Sequence, residues 1–479
     1  MNIAKLYTAA IVAVALVATG CSIGLESGAA QDGVAGDPGS AALSASASGV
    51  FTANVMAPLR VTDWNGFRNQ LSIAKSMGVD AVSVDVWWGD VEGAGDQIFD
   101  WSYYNTIFSE ITNAGLDIVA IMSFHQAGGN VGDNYTSLLP AWIWNHYTAQ
   151  GISADDLKYV SETGASSAEY IALWADDYVI SEYIEFMNAF EAQFASYAAD
   201  IDELNISGGS AGELRYPSYN AHDWGAYPNR GTLQAYGRLA VEDFQDAMVA
   251  KYGNLAGINA AWGSSLTSVS QIGPPSNTSH FFSSYDYQDI QYGRDFFDWY
   301  NQSLVDHGRR LIQAAIDAFD NQMSGIELGI KIPGIHWTMG DPNYPRLAEL
   351  TAGLIRSSTN NWIPATGHGY ASIVSAAAGW GRHVNLHFTC LEMGNDNWAP
   401  AYSRAQDLVF WVADAAAQQG VSIKGENALA GGVTNHTGWN NIENALTWSS
   451  YSGLTILRME QVTWNAIGRS RYEQVIQNY

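Results

Sequence analysis

Cysteine is nearly absent. Only Cys21 and Cys390 occur in 479 residues, so no disulfide framework holds the chain and its stability must come from a packed core. Positive charge is scarce as well. Lys and Arg number 21 against 48 Asp and Glu, a formal net charge of −27. So acidic a surface repels phosphate backbones, which excludes nucleic acid as a partner. No HExxH and no cysteine cluster is present, so no catalytic metal is expected. No Gly-Lys-Ser/Thr loop occurs, and no GxGxxG follows a strand-like run, so no organic cofactor is expected. No internal repeat of 20–50 residues is apparent, which removes solenoids and propellers.

What is present describes a large globular protein. Hydrophobic residues make up 47% of the chain, enough for one big barrel or two to three ordinary domains. The 18 tryptophans and 25 tyrosines supply core volume, and flat rings also stack on the apolar faces of sugars. A neutral polysaccharide is not repelled by an acidic surface.

The first twenty residues differ from the rest. Lys5 precedes an apolar stretch, Ala9 to Val17, too short to span a bilayer. Ala18-Thr19-Gly20-Cys21 follows. This order is similar to a bacterial lipoprotein signal, in which Cys21 becomes the lipidated first residue; the other reading is an ordinary secretory signal cut nearby. Both place the protein outside the cytoplasm, in the cell envelope or the medium. A lipidated Cys21 would be its membrane contact. Residues 21–50 are rich in Gly, Ala and Ser without hydrophobic period, as in a flexible tether. Residues 51–479 form the large folded part.

From Phe51 onward, strand-like and helix-like patterns alternate. Eight apolar or β-branched runs stand out: Asn54–Pro58, Ala81–Val86, Ile118–Ser123, Glu203–Ser207, Gly329–Ile332, Asn385–Thr389, Val421–Ile423 and Leu454–Leu457. Helical spacing is clear over Trp64–Met77, Tyr183–Tyr197 and Leu233–Tyr252, and Gly78, Gly115 and Gly420 stand where helices should stop. Two doubly wound domains would satisfy the same count. The missing GxGxxG favours the other solution, a (β/α)8 TIM barrel of the α/β class. Gly128 to about Val179 follows the third run, and Arg215 to about Asp286 follows the fourth. Long loops after barrel strands build the active-site face. The chain runs about twenty residues past the eighth run, so no C-terminal carbohydrate-binding module is expected.

Polar residues gather at one end of these runs. Asp85, His125 and Glu213 close the second to fourth; Lys331 and His336 mark the fifth; Thr389 and Glu392, Glu426, and Arg458 close the sixth to eighth. One such residue is usually a cap or a satisfied core group. Seven of eight runs carrying one at the same end is not random placement. Glu213 and Glu426 each sit beside glycine, where backbone can approach a ligand. Acetal hydrolysis needs an acid to protonate the leaving oxygen and a second carboxylate to activate water or attack carbon. These two glutamates supply that pair, with inverting and retaining mechanisms both open. Gln126 through Asp133 holds three glycines and reads as a lid with Asp133 at its tip.

At these residues the chain resembles the β-amylases, glycoside hydrolase family 14, and their bacterial branch in particular. The matching motifs run in order: Val55–Leu59, Asp85–Gly89, His125–Asp133, Ala211–Tyr219, Gly334–Trp337, Phe388–Met393 and Gly425–Leu429. They span roughly Val55 to Arg458. The resemblance implies exo-hydrolysis of α-1,4-glucans such as starch or maltooligosaccharides from the non-reducing end, releasing maltose with inverted, β, configuration. It makes Glu213 the general acid and Glu426 the general base. It places Asp85, His125 and Asp133 on the terminal sugars, and Lys331 and His336 on the reducing side. Thr389 falls on an inner loop that steadies the acid. Asn427, Ala428 and Arg458 fall on sugar near the base. It also implies one structural calcium ion at Glu92, Asp96, Gln97, Glu182 and Glu185, and oxygen-only ligands from a loop and a helix face at i, i+3 suit that ion. The departures are Ala127, Ser210 and Thr338, where the family usually has Cys, Pro and a bulkier or amide residue; the last bears on reducing-side affinity. Two rivals remain. One is a retaining barrel glycosidase acting on another sugar. The other is a non-enzymatic glucan-binding surface lipoprotein, which would not need both Glu213 and Glu426.

Overall fold

The computed structural model describes residues 50–129, 133–220, 225, 227–356 and 364–479. The expected export signal, the tether and Cys21 lie outside the described residues. So does the middle of the expected lid, 130–132.

Eight parallel strands close into a barrel. They are β1 (Thr52–Met56), β2 (Ala81–Trp87), β3 (Asp117–Ser123), β4 (Ile201–Ile206), β5 (Glu327–Ile332), β6 (Val384–Phe388), β7 (Ser422–Glu426) and β8 (Tyr451–Ile456). Each pairs with its sequence neighbour, and β1 pairs with β8 to seal the cylinder. All eight expected runs are barrel strands, with ends shifted by a few residues. The shift matters at β7, because Glu426 is the last residue of the strand itself.

Helices cover the outside. Principal among them are α1 (Trp64–Met77), α2 (Ser102–Asn113), α3 (Asp176–Phe194), α4 (Arg238–Tyr252), α5 (Gln291–Ala318), α6 (Ala405–Gln419), α7 (His436–Trp448) and α8 (Ala466–Asn478). Helix α1 shows the local logic. Asp63 caps its start, accepting from the amides of Asn65 and Gly66, and Gly78 ends it in a left-handed turn. Phe67, Leu71, Ala74 and Met77 make its buried face, as their spacing predicts. Two helix expectations need correction. The third-run helix begins at Asp176 rather than Tyr183. The fourth-run helix begins at Arg238 rather than Leu233, because Ala235 is drawn into a parallel bridge with Val160 and the Gln234 amide donates to the Tyr300 hydroxyl. Among the described residues, no helix is long and apolar enough to cross a membrane.

The barrel wall is sorted by polarity. Val82, Val84 and Val86 on β2, Ile118, Ala120 and Met122 on β3, and Leu328, Ile330 and Ile332 on β5 join the main core cluster with helix residues. The alternate positions are largely polar and still buried: Asn54, Ser83, Glu203, Asn385, His387, Lys424 and Thr455. Branched apolar side chains usually fill the inside of such a barrel. This one is apolar outside and polar along much of its axis.

Candidate active site

One cavity at the C-terminal ends of the strands gathers most of the expected residues. Its walls include Asp85, His125, Asp133, Glu213, Lys331, Thr389, Glu426, Asn427, Ala428 and Arg458. His336 is not among them. It lies one residue before Trp337, with its ring near Tyr227 and its Nδ1 on the Ser403 hydroxyl at 2.7 Å.

Glu213 is placed by a turn and a bridge. Strand β4 ends at Ile206, and the chain doubles back with Ala211 and Gly212 in left-handed conformation. A Cβ on Gly212 would sit 3.0 Å from the His125 ring, so this turn packs flush on that imidazole. Glu213 is then extended and forms a single parallel bridge with Lys331 of β5. The next amide, Leu214, donates to the Lys331 carbonyl at 2.7 Å. Arg215 Nε donates to Glu213 Oε2 at 2.9 Å and the Tyr219 hydroxyl donates to the same oxygen at 3.3 Å. Arg215 is itself fixed. It is buried, lies over the Tyr219 ring at 4.1 Å and donates to Asn220 Oδ1 at 2.7 Å. Both contacts to Glu213 fall on Oε2; among the described residues Oε1 accepts no hydrogen bond.

Glu426 ends β7 and is held by the same lysine. Lys331 Nζ lies 2.7 Å from one carboxylate oxygen and 2.9 Å from the other. Burial alone would lower the Lys331 pKa, but the charges of Glu426, Glu213 and Asp85 raise it, so it stays an ammonium. Gly425 packs closely just before Glu426. A Cβ there would fall 2.1 Å from Leu391 on the inner loop after β6. That loop also carries Thr389, whose hydroxyl accepts from the Gly334 amide at 2.8 Å.

The remaining groups are poised for neutral hydroxyls. Burial, aided by the charges of Lys331 and Arg215, pushes His125 down to about 3. Its buried Nδ1 has no hydrogen-bonding partner among the described residues. Burial lowers His336 to about 4. Both are therefore neutral imidazoles near pH 7, able to donate from one nitrogen and accept on the other. Burial raises the Asp85 pKa against the opposing pull of Arg458, Ser123 and Lys331; Ser123 Oγ donates to it at 2.9 Å. Asn427 uses its amide internally, accepting from Leu457 N at 2.8 Å and donating to the Leu429 carbonyl at 3.1 Å.

The lid root is built from the segments that follow β1, β2 and β3. Ala127 and Ser137 pair across the loop with amide–carbonyl distances of 2.9 and 3.2 Å. Asp133 Oδ2 accepts from the Gly128 amide at 2.9 Å. Asp90 accepts from the Tyr135 hydroxyl at 2.8 Å, the Ser137 hydroxyl at 2.7 Å and Arg60 at 2.9 Å. The cavity thus holds two glutamates tied to one lysine, one through its backbone and one through its ammonium, with neutral hydroxyl partners and the root of the lid. The family model for glycosyl hydrolase family 14 matches residues 54–477.

The chain belongs to glycosyl hydrolase family 14. It is 40% identical over 420 residues to a β-amylase of Niallia circulans, covering 87% of this chain and 68% of that one. It is 39% identical to a β-amylase of Cytobacillus firmus, covering 90% and 86%. In three dimensions it is similar to the catalytic domain of β-amylase from Paenibacillus polymyxa, with TM-score 0.78 and 38% identity over 89% of this chain and 98% of that one.

Three functional side chains were not in the expected family 14 site. Arg215 and Tyr219 grip Glu213, and their signal was closeness in sequence to it. Glu392 accepts from the amides of Ala428 at 3.0 Å and Leu429 at 2.8 Å, so it fastens the segment after Glu426. Burial raises its pKa to about 7 against those hydrogen bonds. Thr338 also takes part in a turn. Its backbone is left-handed and its hydroxyl accepts from the Ala348 amide at 3.0 Å, so its small side chain serves a turn.

The expected metal ligands divide. Asp96, Glu182 and Glu185 bring carboxylate oxygens within 4.8 Å of one another. Glu92 is buried and spends its oxygens on Trp88 Nε1 and the Gln97 amide, each at 2.7 Å. Gln97 is left-handed at φ 58°. His146 stands nearby, 3.9 Å from Asp96 and 3.7 Å from Glu182.

Proposed function

We propose that this chain removes maltose from the non-reducing ends of α-1,4-glucans with inversion at the anomeric carbon. The observation that carries the reading is the pair Glu213 and Glu426 in one cavity, with Lys331 bonded to both segments. Glu213 gives its proton to the glycosidic oxygen as the bond to the anomeric carbon breaks. A water attacks that carbon from the other face and gives its proton to Glu426. Both proton transfers are made by side chains, so the step needs no cofactor. Neutral His125 and His336, with Asp85, Asp133, Thr389, Asn427, Ala428 and Arg458, bind and orient the sugars. The lid excludes bulk water once a chain end has entered. Proton NMR of the first product from a maltooligosaccharide should show β-maltose before mutarotation. Initial α-maltose, or fragments from within the chain, would sink this reading in favour of a retaining or endo-acting enzyme.

The acidic group at Asp96, Glu182 and Glu185 suits a structural calcium ion, with Glu92 and Gln97 beside it. Three carboxylates from a loop and one helix face form a hard, oxygen-only donor set. Adding calcium to chelator-treated protein should raise Tm by several degrees, as expected for a ligand that binds only the fold at well above its Kd. An identical Tm with and without calcium would remove the ion from the reading.

The order of Lys5, the apolar stretch and Cys21 supports export and anchoring through a lipid on Cys21, placing the enzyme in the envelope or the medium. Mass spectrometry of the native N-terminus should find a diacylglyceryl group on Cys21. An intact, unmodified Met1 would refute the anchor.

A further inference from the structure

The polar lining of the barrel continues below the catalytic cavity. That cavity's floor includes Ser83, Asn205, His387 and Thr455. A second cavity opens at the opposite, N-terminal face of the barrel. Its walls include Thr52, Asn385, Ser422, Lys424 and Ser452. One carboxylate touches both sets of walls. Glu203 on β4 is fully buried, accepts from His387 Nε2 on the catalytic side, and accepts from Lys424 Nζ at 2.6 Å and Asn385 Nδ2 at 3.0 Å on the far side. Burial would raise its pKa, but His387 and Lys424 outweigh that and hold it at about 2.

The same region contains acceptors with nothing to accept. Asn54 Oδ1, Asn205 Oδ1 and Thr52 Oγ1 are buried and have no partner among the described residues. Asn54 is only 1% exposed. Buried amide oxygens are almost always satisfied, by protein or by bound water. Two strand glycines make room for these polar side chains. A Cβ on Gly329 would fall 1.6 Å from Asn205 Oδ1, and one on Gly453 would fall 2.4 Å from Thr52 Oγ1.

We propose that the barrel axis is a hydrated shaft, in which bound waters on Asn54, Asn205 and Thr52, together with the His387–Glu203–Lys424 bridge, join the catalytic cavity to the N-terminal face. Its use rests on the function proposed above. An exo-acting hydrolase consumes one water per cut while the glucan and lid fill the front entrance. Water arriving from behind restores the nucleophile without opening the front.

A high-resolution crystal structure of the full chain tests the shaft directly. Ordered waters bonded to Asn54 Oδ1 and Asn205 Oδ1 and continuing toward the N-terminal cavity are expected; a dry axis would overturn the proposal. Kinetics test its use. Ser452→Phe places a ring at the far mouth, away from all sugar-binding residues. It should lower kcat on long amylose on the order of threefold or more with KM unchanged, and leave maltotetraose turnover as it was. Should that variant not fold, Asn54→Leu removes a water ligand at similar volume and should give the same selective loss. Unchanged kcat on amylose in either folded variant would refute the supply role. A wild-type protein that makes no maltose would refute the proposed function instead, and the water positions would still decide the shaft.

Discussion

Glu426→Gln and Glu213→Gln should each lower maltose release from soluble starch by on the order of 10⁴-fold. The amide is nearly the shape of the acid, so it leaves packing and sugar contacts in place while removing the proton acceptor or donor. Glu426 keeps a hydrogen-bond acceptor for Lys331 Nζ in the amide form. Glu213→Gln loses the proton to be given but keeps an oxygen for Arg215 Nε and the Tyr219 hydroxyl. Binding of maltooligosaccharide, measured by calorimetry, should survive in both variants. The double variant should be little worse than either single one, because acid and base act in one step. Substantial maltose production by the double variant would show that the chemistry lies elsewhere.

Lys331→Met should have the next largest effect, a kcat loss of about 10²–10³-fold together with lower stability. This ammonium lies 2.7 Å from Glu426, within the field of Glu213 and Asp85. Removing one partner of a buried pair costs about 3–5 kcal/mol. The Lys331 side chain keeps 20% exposure, so the lower end of that range applies. The methionine preserves the main-chain bridge to Glu213, so any loss reports the charge and not the fold of β5. Thermal unfolding followed beside steady-state kinetics separates the two components. A variant with wild-type kcat would show that Lys331 has no part in holding Glu426.

The barrel was legible because each strand is a short β-branched or apolar run bounded by glycine or a turn, and Gly78 and Gly420 stop their helices as expected. Ladder ends were less legible, since pairing across the barrel and not local sequence decides where a strand stops. Glu426, read as closing a run that ended at Ile423, is the last residue of a β7 that extends three residues further. Glu213 looked like a strand terminus and stands seven residues past β4, returned to the wall by its bridge to Lys331. The start of α4 was lost to a tertiary contact, the pairing of Ala235 with Val160. His336 shared a motif with residues near the cavity but not its wall. Glu92 accepts from Trp88 Nε1 and the Gln97 amide, close neighbours in sequence. For Glu213 and the start of α4 the residue type was readable and its partner was not, because Lys331 and Val160 lie far away in sequence.

The bond from Leu214 to the Lys331 carbonyl and the ion pair from Lys331 to Glu426 give one residue two grips. The gap between the acid and the base is thereby gauged from inside the cylinder wall. Redesign of the outer loops to admit branched or shorter chains can start from that fixed gauge, because changing the entrance does not reset the spacing at which the linkage is cut.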